Sequence, residues 1–291
     1  MDNNLTYQFK TANVAIKLIV INVAIFLVVS LLSFVLDVNT TTLTRWFVLP
    51  EELGELILQP WSIITYSFLH AGFWHIFWNM LWLYFMSRFI LNLFSEKRFL
   101  TIYLLGAICG GLLYIAAYNV FPVFEGSRGY LLGASAAVRA IVIFIAAYTP
   151  HAKIRIFVFN IKLWHIGAFV VLSDLIQLPT SGNAGGLIAH LGGAILGYAY
   201  AVQLKKGNDI GRWFESLMDT VQGWFAPRKK RPFKTVHRTH AQTKNTYRPQ
   251  KEDKSDHQKK VDAILDKIGK SGYDSLTKEE KDFLFKAGND N

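Results

Sequence analysis

A serine hydroxyl is a poor nucleophile until a base lies within about 2.6 to 3.2 Å of it. The charge its attack creates also needs donors already in place. This 291-residue sequence carries such groups in three stretches that are otherwise strongly apolar. The first reads His70-Ala71-Gly72-Phe73-Trp74-His75-Ile76-Phe77-Trp78-Asn79, and its four-residue spacing puts His75 and Asn79 on one helical face. The second is Gly133-Ala134-Ser135-Ala136-Ala137, and the third runs from Ala189-His190 through Gly193 to Gly197. Polar side chains in an apolar segment are costly unless paired, so their presence needs a reason. Singly, each has a plain structural explanation, since a serine in such a helix is more often bonded to backbone. Together, a serine, a histidine and a His-x3-Asn face on three separate helices point to chemistry far more strongly than any one of them. Gly193 and Gly197 form a small-xxx-small ridge that lets another helix, such as one presenting Ala136 and Ala137, come close.

Bringing three segments together requires a scaffold, and composition says in which solvent it folds. The chain is 52% hydrophobic and 18% charged, too apolar for an ordinary soluble domain. Six runs approach the roughly 20 residues that cross about 30 Å of hydrocarbon. They lie near 14–36, 74–94, 99–119, 131–149, 163–179 and 186–204. The expected fold is therefore an all-α polytopic membrane protein, with residues 1–204 as a six-helix domain. The run 14–36 lacks a small-residue cleavage site and reads as the first helix. Lys10, Lys17, Arg88, Lys97, Arg98, Lys153, Arg155 and Lys162 fall beside alternate connections, which places those loops and both termini in the cytoplasm of a cell-membrane protein. The single cysteine, Cys109, lies inside an apolar run and reads as packing.

Residues 1–204 hold 11 Lys and Arg against 8 Asp and Glu, while 205–291 hold 20 against 13, so the tail faces water or a charged surface. Apolar residues from Ile210 to Phe225 recur at helical spacing and precede Arg228-Lys229-Lys230-Arg231. Segment 205–231 thus reads as an amphipathic, polybasic helix, either lying on anionic lipid head groups or packed on the membrane domain. Residues 232–256 read as a linker, and 257–291 as a small helical hairpin with Thr277 and Glu280 as a capping box. Nucleic acid is not an expected partner of the basic stretch.

The order and spacing of His70, His75 and Asn79, then Gly133-x-Ser135, then Ala189-His190-x2-Gly193-x3-Gly197 resemble the signature of the rhomboid family of intramembrane serine proteases, bacterial type. The resemblance covers roughly residues 14–204, and Trp61 also matches a first-loop position of the family. It implies a six-helix bundle in which Ser135 is the nucleophile and His190 the general base of a dyad. His75, Asn79 and the Ser135 N–H would bind the oxyanion, while Gly133, Gly193 and Gly197 shape the site. The substrates implied are transmembrane segments of other proteins, cut without cofactor or metal.

Three positions depart from the family pattern. Ala136 stands where glycine is frequent, and Ser62 where an arginine usually follows the first-loop tryptophan. Arg139 lies one turn below Ser135, where its charge opposes an imidazolium at His190 unless a partner such as Asp174 holds it. These departures keep a non-catalytic relative that binds transmembrane clients as the alternative. Metal chemistry by His70, His75 and His190 is the weaker one, because no His-Glu-x2-His arrangement occurs and carboxylates are absent nearby.

Overall fold

A computed structural model describes residues 5–156, 158–225 and 256–289 of the chain. The fold is an all-α polytopic membrane bundle whose principal helices are α1 (Val14–Leu36), α2 (Phe73–Leu91), α3 (Glu96–Val120), α4 (Ser135–Tyr148), α5 (Leu163–Gln177) and α6 (Ala184–Lys205). By length and apolarity α1, α3 and α6 are each able to cross a bilayer. The 19 residues of α2 are long enough, but its Trp, His and Asn content dilutes the apolar character.

Each helix starts for a local reason. The Asn13 side chain accepts the Ile16 N–H at 3.0 Å to open α1, and Ser95 Oγ accepts the Arg98 N–H at 3.2 Å to open α3. Only 11% of the most apolar window of α1 is buried within the chain, against 61% for α3. Most of α1 therefore faces lipid, while α3 is the central post. Gly106 and Gly110 of α3 sit against Ala140 and Ala136 of α4, and Gly193 and Gly197 of α6 sit directly against the backbone carbonyls of the same two alanines. Three helices thereby share one small-residue seam, in which Ala140 rather than Ala137 opposes Gly197.

The fourth helix begins at Ser135, four residues later than hydropathy places it. The preceding residues are committed elsewhere. Tyr130–Leu131 (β2) pairs antiparallel with Leu49–Pro50 (β1), and the Gly133 N–H donates to the Tyr66 carbonyl at 2.9 Å. At 14 residues α4 is about 21 Å long, and α5 about 22 Å, so neither covers a 30 Å core by itself. Ser135 consequently stands at the first turn of a short helix, below a cap of irregular chain. A second hairpin, Lys153–Ile156 (β3) with Phe159–Lys162 (β4), connects α4 to α5.

The long connection between α1 and α2 is pinned by side chains reaching back to its own backbone. Gln59 Nε2 donates to the Val48 carbonyl at 3.2 Å, Trp61 Nε1 to Trp46 at 2.7 Å, and Thr65 Oγ1 to Phe47 at 2.8 Å. Ser62, one of the positions that depart from the family pattern, is fully buried.

After α6 comes α7 (Arg212–Phe225), which starts two residues after the stripe's Ile210 because the Gly211 N–H donates to the Asp209 carboxylate at 3.1 Å and holds 210–211 in a turn. Arg98 at the foot of α3 pairs with Asp209, and Lys97 with Asp219, while Phe214 is buried. Burial alone would raise the Asp209 carboxyl, but the Tyr200 hydroxyl at 2.8 Å and the Arg98 guanidinium outweigh it and hold Asp209 below the usual carboxylate range. This helix is thus docked on the bundle by ion pairs, yet Trp213, Leu217 and Trp224 remain exposed.

The expected linker, apart from Asp256, and the basic run 228–231 lie outside the described residues. The C-terminal unit consists of α8 (Asp256–Ser271) and α9 (Lys278–Asn289), joined through Gly272 at φ 78°. Glu280 accepts the Thr277 N–H at 2.8 Å while the Glu280 N–H donates to Thr277 Oγ1 at 3.3 Å, the reciprocal pair of a capping box. Ile264 and Leu276 form its small buried contact, and Lys267 reaches Glu280 at 2.8 Å.

Candidate active site

Ser135, His190, His75 and Asn79 line one cavity of about 470 Å³. Each is brought there by a different constraint. Gly133 holds φ 126°, a left-handed conformation, and a Cβ on it would lie 2.7 Å from the His75 ring. Only glycine satisfies both demands, and its turn delivers Ser135 to the head of α4 beside His75. His190 reaches the cavity from α6, because Gly193, three residues on, lets α6 settle onto the Ala136 backbone.

Hydrogen bonds at the rim define which ring nitrogens carry protons. The Ala71 N–H donates to His75 Nδ1 at 3.4 Å, so the neutral ring carries its proton on Nε2, the nitrogen nearer Gly133. Asn79 Nδ2 donates one hydrogen to the His75 carbonyl at 2.8 Å and keeps the other. Both side chains are thus able to donate toward a charge growing beside Ser135. His70, which has no role in the expected dyad or oxyanion site, packs its ring edge on His75 at 5.1 Å, and its Nε2 accepts the Ala134 N–H at 3.5 Å. It braces the turn that carries the serine.

The largest addition to the sequence picture is at His190. Its Nδ1 lies 3.2 Å from Asp174 Oδ1, and the same carboxylate takes Arg139 as a two-pronged partner, Nε to Oδ2 at 2.8 Å and Nη2 to Oδ1 at 3.0 Å. Asp174 is nearly sealed, its side chain 3% exposed. Sequence reasoning matched Asp174 to Arg139 but not to His190, which lies sixteen positions further on another helix. A carboxylate in the apolar run of α5 was the available signal. Since Nδ1–H donates to the carboxylate, Nε2 is left as the proton acceptor. Ser135 Oγ makes no hydrogen bond of its own among the described residues, and it lines the same cavity as His190. Trp74, Trp78 and Trp82 also line the cavity and give it an apolar wall.

A family profile described as Rhomboid domain matches residues 58–207, and a second, a family of unknown function (DUF6576), matches residues 250–286. Relatives include RHOMBOID-like protein 12, mitochondrial, of Arabidopsis thaliana, 30% identical over 158 residues, which make up 50% of this chain and 47% of that protein. Rhomboid protein 1, mitochondrial, of Saccharomyces cerevisiae is 29% identical over 174 residues, 55% of this chain and 49% of that one. Rhomboid-like protease 1 of Toxoplasma gondii is 29% identical over 160 residues, 54% and 51% of the two. The chain spans about half the length of these curated relatives. The Rhomboid domain match extends over more than half of the chain, from the first long loop to the end of α6, and the protein belongs to the rhomboid family.

Proposed function

We propose that this chain is an intramembrane serine endopeptidase that cuts transmembrane or membrane-border segments of other proteins. The observation that carries the reading is the convergence of Ser135, His190, His75 and Asn79 on one cavity, with His190 Nε2 left free to accept a proton. Ser135 Oγ attacks the scissile carbonyl and passes its proton to His190, which returns it to the leaving amine; water then repeats the cycle on the acyl-enzyme. His75 Nε2–H, the remaining Asn79 hydrogen and the Ser135 N–H meet the charge on the carbonyl oxygen. A substrate helix must unwind locally to be cut, because its amides are otherwise bonded and hidden. The short α4, with irregular chain above Ser135, supports entry of water and an unwound strand to that depth.

Purified protein is expected to label at Ser135 with a fluorophosphonate and to cleave a generic transmembrane reporter. Asn79→Ala and His75→Ala are expected to lower kcat by about 10² to 10³ each with KM little changed, as for loss of one oxyanion donor. Unchanged kcat in both variants removes the oxyanion assignment. Wild type that neither labels nor cleaves leaves the alternative of a client-binding, non-catalytic rhomboid.

We also propose a cell-membrane location with both termini cytoplasmic, and contact of α7 with anionic lipid head groups. The cations beside alternate loops support the first. Exposed Trp213, Leu217 and Trp224 next to the basic run of 228–231 support the second. With Cys109 replaced by serine, an environment-sensitive probe on Trp224→Cys is expected to shift to the blue as anionic lipid is added to nanodiscs. Impermeant maleimide is expected to reach the same cysteine only from the cytoplasmic side. Emission indifferent to lipid charge counts against the lipid contact.

A further inference from the structure

The contact between His190 and Asp174 extends the proposed chemistry, and its catalytic meaning rests on the protease reading. We propose that Asp174 is a positioning residue for His190, clamped by Arg139, so that the working unit is Ser135, His190 and a carboxylate rather than a dyad.

Four geometric observations support it. His190 Nδ1 and Asp174 Oδ1 are 3.2 Å apart, close enough for the ring N–H to donate and for the tautomer to be held with Nε2 as the base. Arg139 grips both carboxylate oxygens, and this planar fork fixes the orientation of the carboxylate where a lysine would act as a point charge. Asp174 is 3% exposed and the His190 side chain 14%, so water competes little for either. Arg139 stands one turn after Ser135 on α4, so the clamp is built on the nucleophile's own helix and crosses α5 to reach the base on α6. The arrangement therefore ties the position of the base to that of the nucleophile through three side chains.

Charge balance explains why an arginine is tolerated beside an imidazole that must become cationic. A lone buried carboxylate is costly, and a lone buried guanidinium near His190 would oppose proton uptake; paired, the two are neutral overall. As His190 takes the serine proton, the carboxylate still presents Oδ1 to the new imidazolium. Arg139, the least conforming residue in the sequence, becomes a support for the base rather than an obstacle. The competing explanation is a buried ion pair that only fastens α4 to α5.

The two explanations separate when stability and turnover are measured together on full-length protein in nanodiscs. Asp174→Asn is expected to lower kcat on the transmembrane reporter by about 10² to 10⁴ with KM unchanged, in line with loss of the carboxylate behind a catalytic histidine. It also strands Arg139, so its thermal midpoint falls. The double variant Asp174→Asn/Arg139→Gln removes both charges; its midpoint is expected to recover toward wild type while kcat stays at least tenfold low. Arg139→Gln alone keeps the carboxylate but strands it, so its midpoint is expected to fall while kcat stays within about tenfold of wild type. Turnover then follows Asp174, while stability follows the balance of the pair. A double variant with wild-type kcat, or an Arg139→Gln variant as impaired as Asp174→Asn, overturns the positioning role. Wild type with no cleavage and no fluorophosphonate labelling overturns the protease reading, and with it this one.

Discussion

Ser135→Ala and His190→Ala are each expected to abolish reporter cleavage, and the double variant to be no worse than either single one. Nucleophile and base act as one unit, so removing either forfeits most of what both supply, a loss on the order of 10⁶ where the pair is fully engaged. Neither substitution should unfold the protein. The Ser135 hydroxyl makes no hydrogen bond among the described residues, and its neighbour Ala136 already packs against Gly110. His190→Ala leaves Asp174 held by both prongs of Arg139. Thermal midpoints within a few degrees of wild type, together with complete loss of cleavage and labelling, are the expected pattern. Losses that multiply in the double variant would mean that the two residues act separately, and residual labelling of Ser135→Ala would move the nucleophile elsewhere.

The second large effect is expected from Gly193→Val, although residue 193 touches no substrate. Gly193 lies so close to the Ala136 carbonyl that any Cβ must push backbone, not a yielding side-chain tip. Overpacking of this kind costs about 1 to 3 kcal/mol, and α6 can only relieve it by moving away from α4. His190 sits one turn earlier on α6, and a shift of about 1 Å in a reacting group costs about 10² in rate. The expected result is a kcat at least 10²-fold lower with a clear fall in thermal midpoint. Gly223→Ala is the control, because nothing lies within 4 Å of its Cβ position on α7 and helix propensity favours alanine there. If Gly193→Val turns over normally, the close crossing is not what sets the distance between base and nucleophile.

Much of the scaffold was legible because a bilayer leaves few options. Apolar runs separated by charged loops mark helices, and glycines at four-residue spacing mark a close crossing. The residues with chemistry stood out because His75, Asn79, Ser135 and His190 are expensive in such surroundings. The start of α4 was not legible from hydropathy, since Leu131 and Leu132 are as apolar as the helix that follows them. What removes them from it is a strand partner about eighty residues earlier and the backbone of Gly133. The link from Asp174 to His190 was hidden for a similar reason. Spacing shows which residues share a face of one helix, whereas this contact depends on how α5 is rotated against α6. Arg139 looked disruptive because the sequence offered Asp174 as its partner without showing that the same carboxylate also meets His190.

The pairing of β1 with β2 also limits how the chain can vary in length. Leu49 is opposite Leu131, and only three residues separate Leu131 from Ser135. A residue gained or lost in that span would slide the serine around the α4 axis by about 100° and turn it out of the cavity. The stretches 37–43 and 125–128 lie on the other side of the ladder and are not buried, so extra residues there can bulge into solvent while Ser135 stays in place. Insertions and deletions inherited by related chains should therefore collect in those two stretches and spare 131–135, leaving a segment of invariant length just ahead of the nucleophile.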